Sequence, residues 1–259
     1  MSVGRRRRTA RLTNLEETAG LVYKRGMNPA APGPVTITHY SDVLCVWAYI
    51  ANIRLDELRR QFGAQVRVRS RLCSVFADVE TKVSIGWRER GGVSAFRAHV
   101  AHVISGFDHV SLHPDVWSRT VPTTSATAHA AIKAVELVVP STEDAGSATA
   151  PSPAELYAWQ LRLAFFRDGR DVSCVEVELA VASEMGLPVD ALRARLADGS
   201  AWAALHRDYE EARVEQVRGS PTFVLNERRQ MLYGNVGYKI IEANVVELLR
   251  QPADQASWC

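Results

Sequence analysis

The sequence predicts an α/β fold in which a strand–helix–strand unit and a later strand–strand–helix unit are separated by a long all-helical segment. Three observations predict it. β-branched, alternating runs occur at Val35–Tyr40 and Gln65–Cys73. Helical periodicity dominates from about Thr81 to Val217, and short apolar runs return at Thr222–Leu225 and Gln230–Tyr233. Of the 259 residues, 47% are hydrophobic and 23% charged, enough to bury a substantial core in a globular chain.

Residues 1–34 contain a basic run, Arg5 to Arg8, and end in Asn28-Pro29-Ala30-Ala31-Pro32-Gly33-Pro34, a stretch that cannot continue a helix. No apolar signal segment follows the arginines, so export is not expected, and a cytoplasmic location is. A net charge of +2 gives no argument for a nucleic-acid partner, and no run of about 18 apolar residues is present to cross a membrane.

The folded body is expected to open at Val35. Val35-Thr36-Ile37-Thr38-His39-Tyr40 alternates as a strand should, and Ser41-Asp42 suits a helix entry. The following helix carries Val46, Trp47, Ile50, Ile53, Leu55, Leu58 and Phe62 on an apolar face and stops at Gly63. Val66 to Leu72 is then a second strand, parallel to the first and next to it through a right-handed crossover. Residues 35–80 thus form the first half of one domain, 81–217 a helical insert, 218–250 the second half, and 251–259 a tail. Within the insert, helices are expected at Ala95–Ile104, Ser125–Val138, Ala154–Phe166, Cys174–Met185, Val189–Leu196 and Ala201–Val217, with a loop from Pro140 to Pro153. The second half is a hairpin turning at Asn226-Glu227-Arg228, followed by a helix from Tyr238 to Arg250.

Four cysteines, Cys45, Cys73, Cys174 and Cys259, form no CxxC pair, which fits a reducing compartment and argues against a disulfide framework. Cys45 falls where the first strand meets the first helix. Unpaired N–H groups and the helix dipole there favour a thiolate, which predicts a lowered pKa and the most alkylation-prone thiol of the chain at pH 7. The bland alternative is a small core hydrophobe. Pro221, in Gly219-Ser220-Pro221-Thr222-Phe223-Val224, immediately precedes a strand; it is either an ordinary trans strand-initiating proline or a cis one. His99, His102, His109 and His113 lie close in sequence, yet their spacing matches no metal pattern, and no metal is expected.

With these residues in place, Asp42-Val43-Leu44-Cys45-Val46-Trp47-Ala48-Tyr49 and Gly-Ser-Pro-Thr-Phe-Val flank a helical insert in an order that resembles the DsbA-like thioredoxin family. Phe166 to Ser173 resembles the insert shared with kappa-class glutathione transferases and 2-hydroxychromene-2-carboxylate isomerases. The resemblance implies a thioredoxin-like fold over about residues 35–250, with Cys45 as nucleophile, Trp47 as its aromatic neighbour and Pro221 as the cis-proline facing it. It further implies that Asp42, Ser220 and Thr222 contact a substrate or thiol. The family commonly carries Asp-x-x-Cys-Pro-Trp-Cys; here Val46 stands for the proline and Ala48 for the second cysteine. A dithiol oxidoreductase releases its mixed disulfide by attack of that second thiolate, and alanine cannot supply it. Cys73, near the end of the second strand, is a candidate resolving thiol, with a packed hydrophobe as the alternative.

The expected activity is therefore monothiol chemistry at Cys45 on a small molecule or mixed disulfide. A low-molecular-weight thiol of the glutathione or mycothiol type is the expected cofactor, and a second copy of the chain is a further expected partner. Two alternatives stand beside it: a kappa-like transferase or cis–trans isomerase, and a noncatalytic thioredoxin-fold binding protein.

Overall fold

The computed structural model describes residues 33–140 and 150–250. The arginine run, most of the loop before Pro153, and Cys259 lie outside the described residues. The element order is β1 (Val35–Ser41), α1 (Val46–Phe62), β2 (Val66–Leu72), α2 (Gly92–Ile104), α3 (Ala126–Val138), α4 (Pro153–Phe166), α5 (Val175–Glu184), α6 (Val189–Ala197), α7 (Ser200–Val214), β3 (Thr222–Leu225), β4 (Gln230–Tyr233) and α8 (Tyr238–Leu249).

The four strands form one mixed sheet in the order β2-β1-β3-β4. β1 and β2 run parallel, with Val35 opposite Val66 and Ser41 opposite Leu72, as the crossover rule predicts. β3 lies antiparallel to β1, with Tyr40 opposite Thr222, and β4 antiparallel to β3. The alternation along β1 buries Val35 and Ile37 with Val66, Val68, Phe223 and Leu225 against Leu55, Leu58, Ile241 and Val245 of α1 and α8. Tyr40, on the opposite face, packs with Cys73, Ala212 and Val224. A separate, larger apolar cluster joins the start of α1 to the insert, where the Tyr49 ring stacks on Phe166 at 4.7 Å between centroids.

Local chemistry accounts for where the helices begin. α4 opens one residue earlier than its apolar pattern indicates, because Ser152 and Glu155 close a capping box and Pro153 occupies the first helical position, where no N–H is needed. α1 corrects the expectation that Ser41-Asp42 caps it: the N-cap is Cys45, whose side chain makes no capping bond. Asp42 instead folds back to accept the Leu44 N–H at 2.9 Å, forming a turn ahead of the helix. The hairpin turn holds Asn226, Glu227 and Arg228 all at positive φ. Asn226 anchors it by exchanging hydrogen bonds with the Thr36 backbone, each 2.9 Å long. Between β2 and α2 two short helical turns, Glu80–Ile85 and Arg88–Arg90, lie outside the sequence expectation.

Candidate active site

Cys45 stands at the C-terminal end of the β1 side of the sheet, at the entry of α1, in extended conformation (φ −81°, ψ 114°). Its carbonyl accepts the N–H groups of Ala48 and Tyr49, and its thiol donates to the Ser220 carbonyl at 3.2 Å. The Ser220–Pro221 bond is cis, and Pro221 is buried at the head of β3. Thus the two motifs, 175 residues apart, meet at one hydrogen bond. Trp47 is half-buried and sets its ring edge-on to Phe107 at 6.4 Å.

The environment of Cys45 overturns the expectation of a lowered pKa. The residue is only 5% exposed, and burial pushes the thiol up. The Ser220 hydroxyl and the N–H groups of Ala48 and Trp47 pull toward the thiolate, while the Asp42 carboxylate opposes it. Desolvation is the largest of these effects, so the resting sulfur is a neutral thiol. Burial likewise displaces Cys45 as the most accessible thiol, because Cys174 is the exposed cysteine among the described residues.

Asp42 has no open face for a ligand. It is fully buried; one carboxylate oxygen accepts the Leu44 N–H, and the other accepts the N–H groups of Val75 (3.1 Å) and Phe76 (2.8 Å) and the Ser125 hydroxyl (2.8 Å). Its expected contact with substrate gives way to a positioning task, since it ties the segment before Cys45 to the strand of chain leaving β2 and to α3. Thr222 is corrected in the same way: its buried hydroxyl donates to the Gly219 carbonyl at 2.7 Å. Ser220 remains half-buried beside the sulfur, and its Oγ accepts the Asp42 N–H at 2.9 Å.

Cys73 continues the β2 ladder, donating its N–H to the Ser41 carbonyl. Its buried thiol is pushed well up by desolvation and, in smaller measure, by the charges of Asp42 and Cys45. Ser220 acts on both sulfurs, yet Cys73 packs in the cluster of Tyr40, Ala212 and Val224, separate from the one holding Cys45.

Two side chains central to the site escaped the sequence reading. His129, four residues beyond Ser125 on the same face of α3, accepts the Val43 N–H through Nε2 at 3.1 Å and meets the Tyr209 hydroxyl through Nδ1 at 2.8 Å. An Nε2 that accepts must be unprotonated, in agreement with burial holding this imidazole below its usual range. Arg162, on α4 and 4% exposed, donates to the Ser41 hydroxyl at 2.8 Å. Ser125 and His129 share a helical spacing that the sequence displays, but nothing local says that α3 abuts the Asp42–Cys45 turn. The histidines of the insert go to separate tasks: His109 to the Ile50 carbonyl, His113 to the Asp115 N–H, and His99 against the Trp87 ring.

A cysteine at the entry of the first helix of a βαβ unit, hydrogen-bonded to the residue before a cis-proline on an antiparallel third strand, defines a thioredoxin-fold protein with a helical insert. More narrowly, residues 141–245 match the DSBA-like thioredoxin domain, and the chain has the fold of that branch. Solved structures of the same fold include a probable DsbA oxidoreductase from Streptomyces coelicolor, 19% identical over 87% of this chain and 92% of that one, with a TM-score of 0.61. Another is the cytosolic disulfide reductase DsbM from Pseudomonas aeruginosa with GSH, 21% identical over 83% and 99%, TM-score 0.55. A third is 2-hydroxychromene-2-carboxylate isomerase, 19% identical over 86% and 100%, TM-score 0.56. At these identities the likeness is one of fold. No curated protein matches the chain. No helix among the described residues is long and apolar enough to cross a membrane.

Proposed function

We propose that this protein is a monothiol oxidoreductase in which Cys45 exchanges with disulfides of a low-molecular-weight thiol of the glutathione or mycothiol type. Ala48 carries the reading: one helical turn from Cys45, where a CxxC enzyme holds its second thiol, this chain has a buried methyl group. In the step, the Cys45 sulfur, having lost its proton, attacks one sulfur of glutathione disulfide. The old S–S bond breaks as the new one forms, and one glutathione leaves as the thiol, taking up a proton. A second glutathione attacks the mixed disulfide, regenerates Cys45 and departs as glutathione disulfide. DsbM has been solved with GSH, which supports a thiol of this kind as the partner. The free state of the three described cysteines supports a reducing, cytoplasmic setting.

One observation favours a second reading, a glutathione-type transferase or isomerase. A neutral, buried Cys45 thiol is a hydrogen-bond donor, as a serine hydroxyl would be, and can hold the thiolate of a bound cofactor without forming a covalent bond.

Intact-mass measurement after exposure to glutathione disulfide separates them. The monothiol reading expects one glutathione adduct on the wild type, none on Cys45→Ser, and slow decay until thiol is added. No adduct, with glutathione affinity kept in Cys45→Ser and lost in Cys45→Ala, sinks it in favour of the transferase or isomerase. Oxidation of a reduced dithiol protein should be weak in the wild type and gained in Ala48→Cys; equal activity in the two would mean that Cys73 already resolves Cys45.

A further inference from the structure

A cavity of about 300 Å³ opens at the β2 edge of the sheet, between the second to fourth turns of α1 and helices α3 and α4 of the insert. None of Cys45, Trp47, Ser220 or Pro221 lines it, and Arg162 with its partner Ser41 is what it shares with the surroundings of the thiol. Part of its wall is apolar, from Leu55, Ile132, Ala158 and Trp159; the rest carries charge of both signs, the cations Arg59, Arg69, Arg71, Lys133 and Arg162 facing the carboxylates of Asp56, Glu136, Glu155 and Asp208.

Every buried charge of the wall but one has an ion-pair partner among the described residues. Arg59 pairs with Glu155 at 2.7 Å, Lys133 with Asp208 at 3.2 Å and with Glu136, and Arg71 with Glu211 at 3.1 Å and Asp208 at 3.5 Å. Arg162, equally a cavity residue and 4% exposed, makes no ion pair among the described residues. Its one side-chain hydrogen bond is to the Ser41 hydroxyl, and its Nε is buried without a partner. Cys45, Asp42 and Cys73 act on it through space, but the two buried thiols rest neutral and both Asp42 oxygens are already occupied by Leu44, Val75, Phe76 and Ser125. Two further buried nitrogens beside the same cavity, His39 Nε2 and Arg59 Nε, also lack partners. A buried cation without a counter-charge is among the costliest arrangements a fold can hold, and it is relieved when an anion enters.

We infer that this cavity is a binding site for a small organic monoanion, a carboxylate with an apolar body, held by Arg162 with its apolar part against Leu55, Ile132, Ala158 and Trp159. One uncompensated buried charge matches a monoanion. A phosphate dianion would bring excess negative charge among Glu136, Glu155 and Asp208 and would leave the apolar wall bare. Arg69, half-buried and without an ion pair among the described residues, adds a charge that solvent partly screens.

The test is calorimetric titration and thermal unfolding with sodium benzoate, its neutral analogue benzamide, and inorganic phosphate. Benzoate is expected to bind saturably, one per chain, and to raise the melting temperature, with little response to the other two. Arg162→Gln should weaken benzoate at least about tenfold, a loss of about 1.4 kcal/mol. If that variant does not fold, Ala158→Leu, which fills the apolar wall and keeps the charge, must weaken it by a similar factor. Absence of saturable benzoate binding, phosphate bound as tightly as benzoate, or benzoate affinity unchanged in Ala158→Leu would each overturn the assignment. Because Cys45 lies outside the cavity, Cys45→Ser should leave benzoate binding intact.

Discussion

At the scale of single residues, Cys45 shows how two effects at one atom are ranked by magnitude. A helix N-terminus contributes on the order of 1 kcal/mol to an anion placed there, whereas moving a charge from water into a buried site costs several. The thiol therefore rests neutral, and its chemistry begins when a disulfide or thiol ligand enters. Iodoacetamide at pH 7 should label Cys174 well before Cys45 or Cys73, as read by peptide mass mapping. The Cys45 rate should climb with pH past the point where an ordinary free thiol levels off. A Cys45 rate that exceeds that of Cys174 at pH 7 would show that the sulfur is more open and more ionised than its burial dictates.

The relevant element is the turn joining β1 to α1. Asp42 fixes it by gathering the N–H groups of Leu44, Val75 and Phe76 with the Ser125 hydroxyl, while His129 takes the Val43 N–H. Each accepted bond satisfies a donor that would otherwise be buried and unpaired, and the shared carboxylate couples the turn to the chain after β2 and to α3. Asp42→Asn removes the charge and turns an NH₂ toward N–H donors. We expect a loss of about 3 kcal/mol in urea unfolding, together with a faster labelling rate at Cys45 as the turn loosens. A loss below about 0.5 kcal/mol, the range of ordinary surface changes, would show that the turn is held by packing alone.

For the molecule as a whole, the clearest pH signature belongs to Glu178 in the first turn of α5. Its carboxyl is fully buried, neither oxygen has a partner among the described residues, and burial raises its pKa from an ordinary 4.5 to about 7. The nearby Thr127 hydroxyl reaches the Ser173 carbonyl instead, at 3.4 Å. The folded state holds this proton where the unfolded chain has released it, so the stability contribution is complete below about pH 4.5 and is lost as pH rises to about 7. Across that window the wild type should lose up to about 3 kcal/mol relative to Glu178→Gln, which carries no titrating proton. Parallel stability–pH curves for the two proteins would refute the assignment. His39, held down to about 3 by burial, works in the opposite sense, with its contribution lost as pH falls from about 6.5, and it is common to both proteins.

Alternation in Val35–Ser41 and Val66–Leu72, the apolar face of α1, the run of insert helices and the hairpin were legible in the amino-acid sequence, because period, cap and turn are local properties of a chain. Cys45, Ala48 and Pro221 were legible too, as a motif with one member missing. Only the tertiary structure decided that Asp42 is spent on backbone donors, that the Cys45 thiol is raised and not lowered, and that Arg162 stands without a counter-charge. Those outcomes depend on which residues distant in sequence exclude water from a given atom: Ser125 and His129 on α3 close over Asp42, Ser220 over Cys45, and α4 carries Arg162 to Ser41. Desolvation is set by the whole packed surroundings of an atom, and no window of sequence contains them.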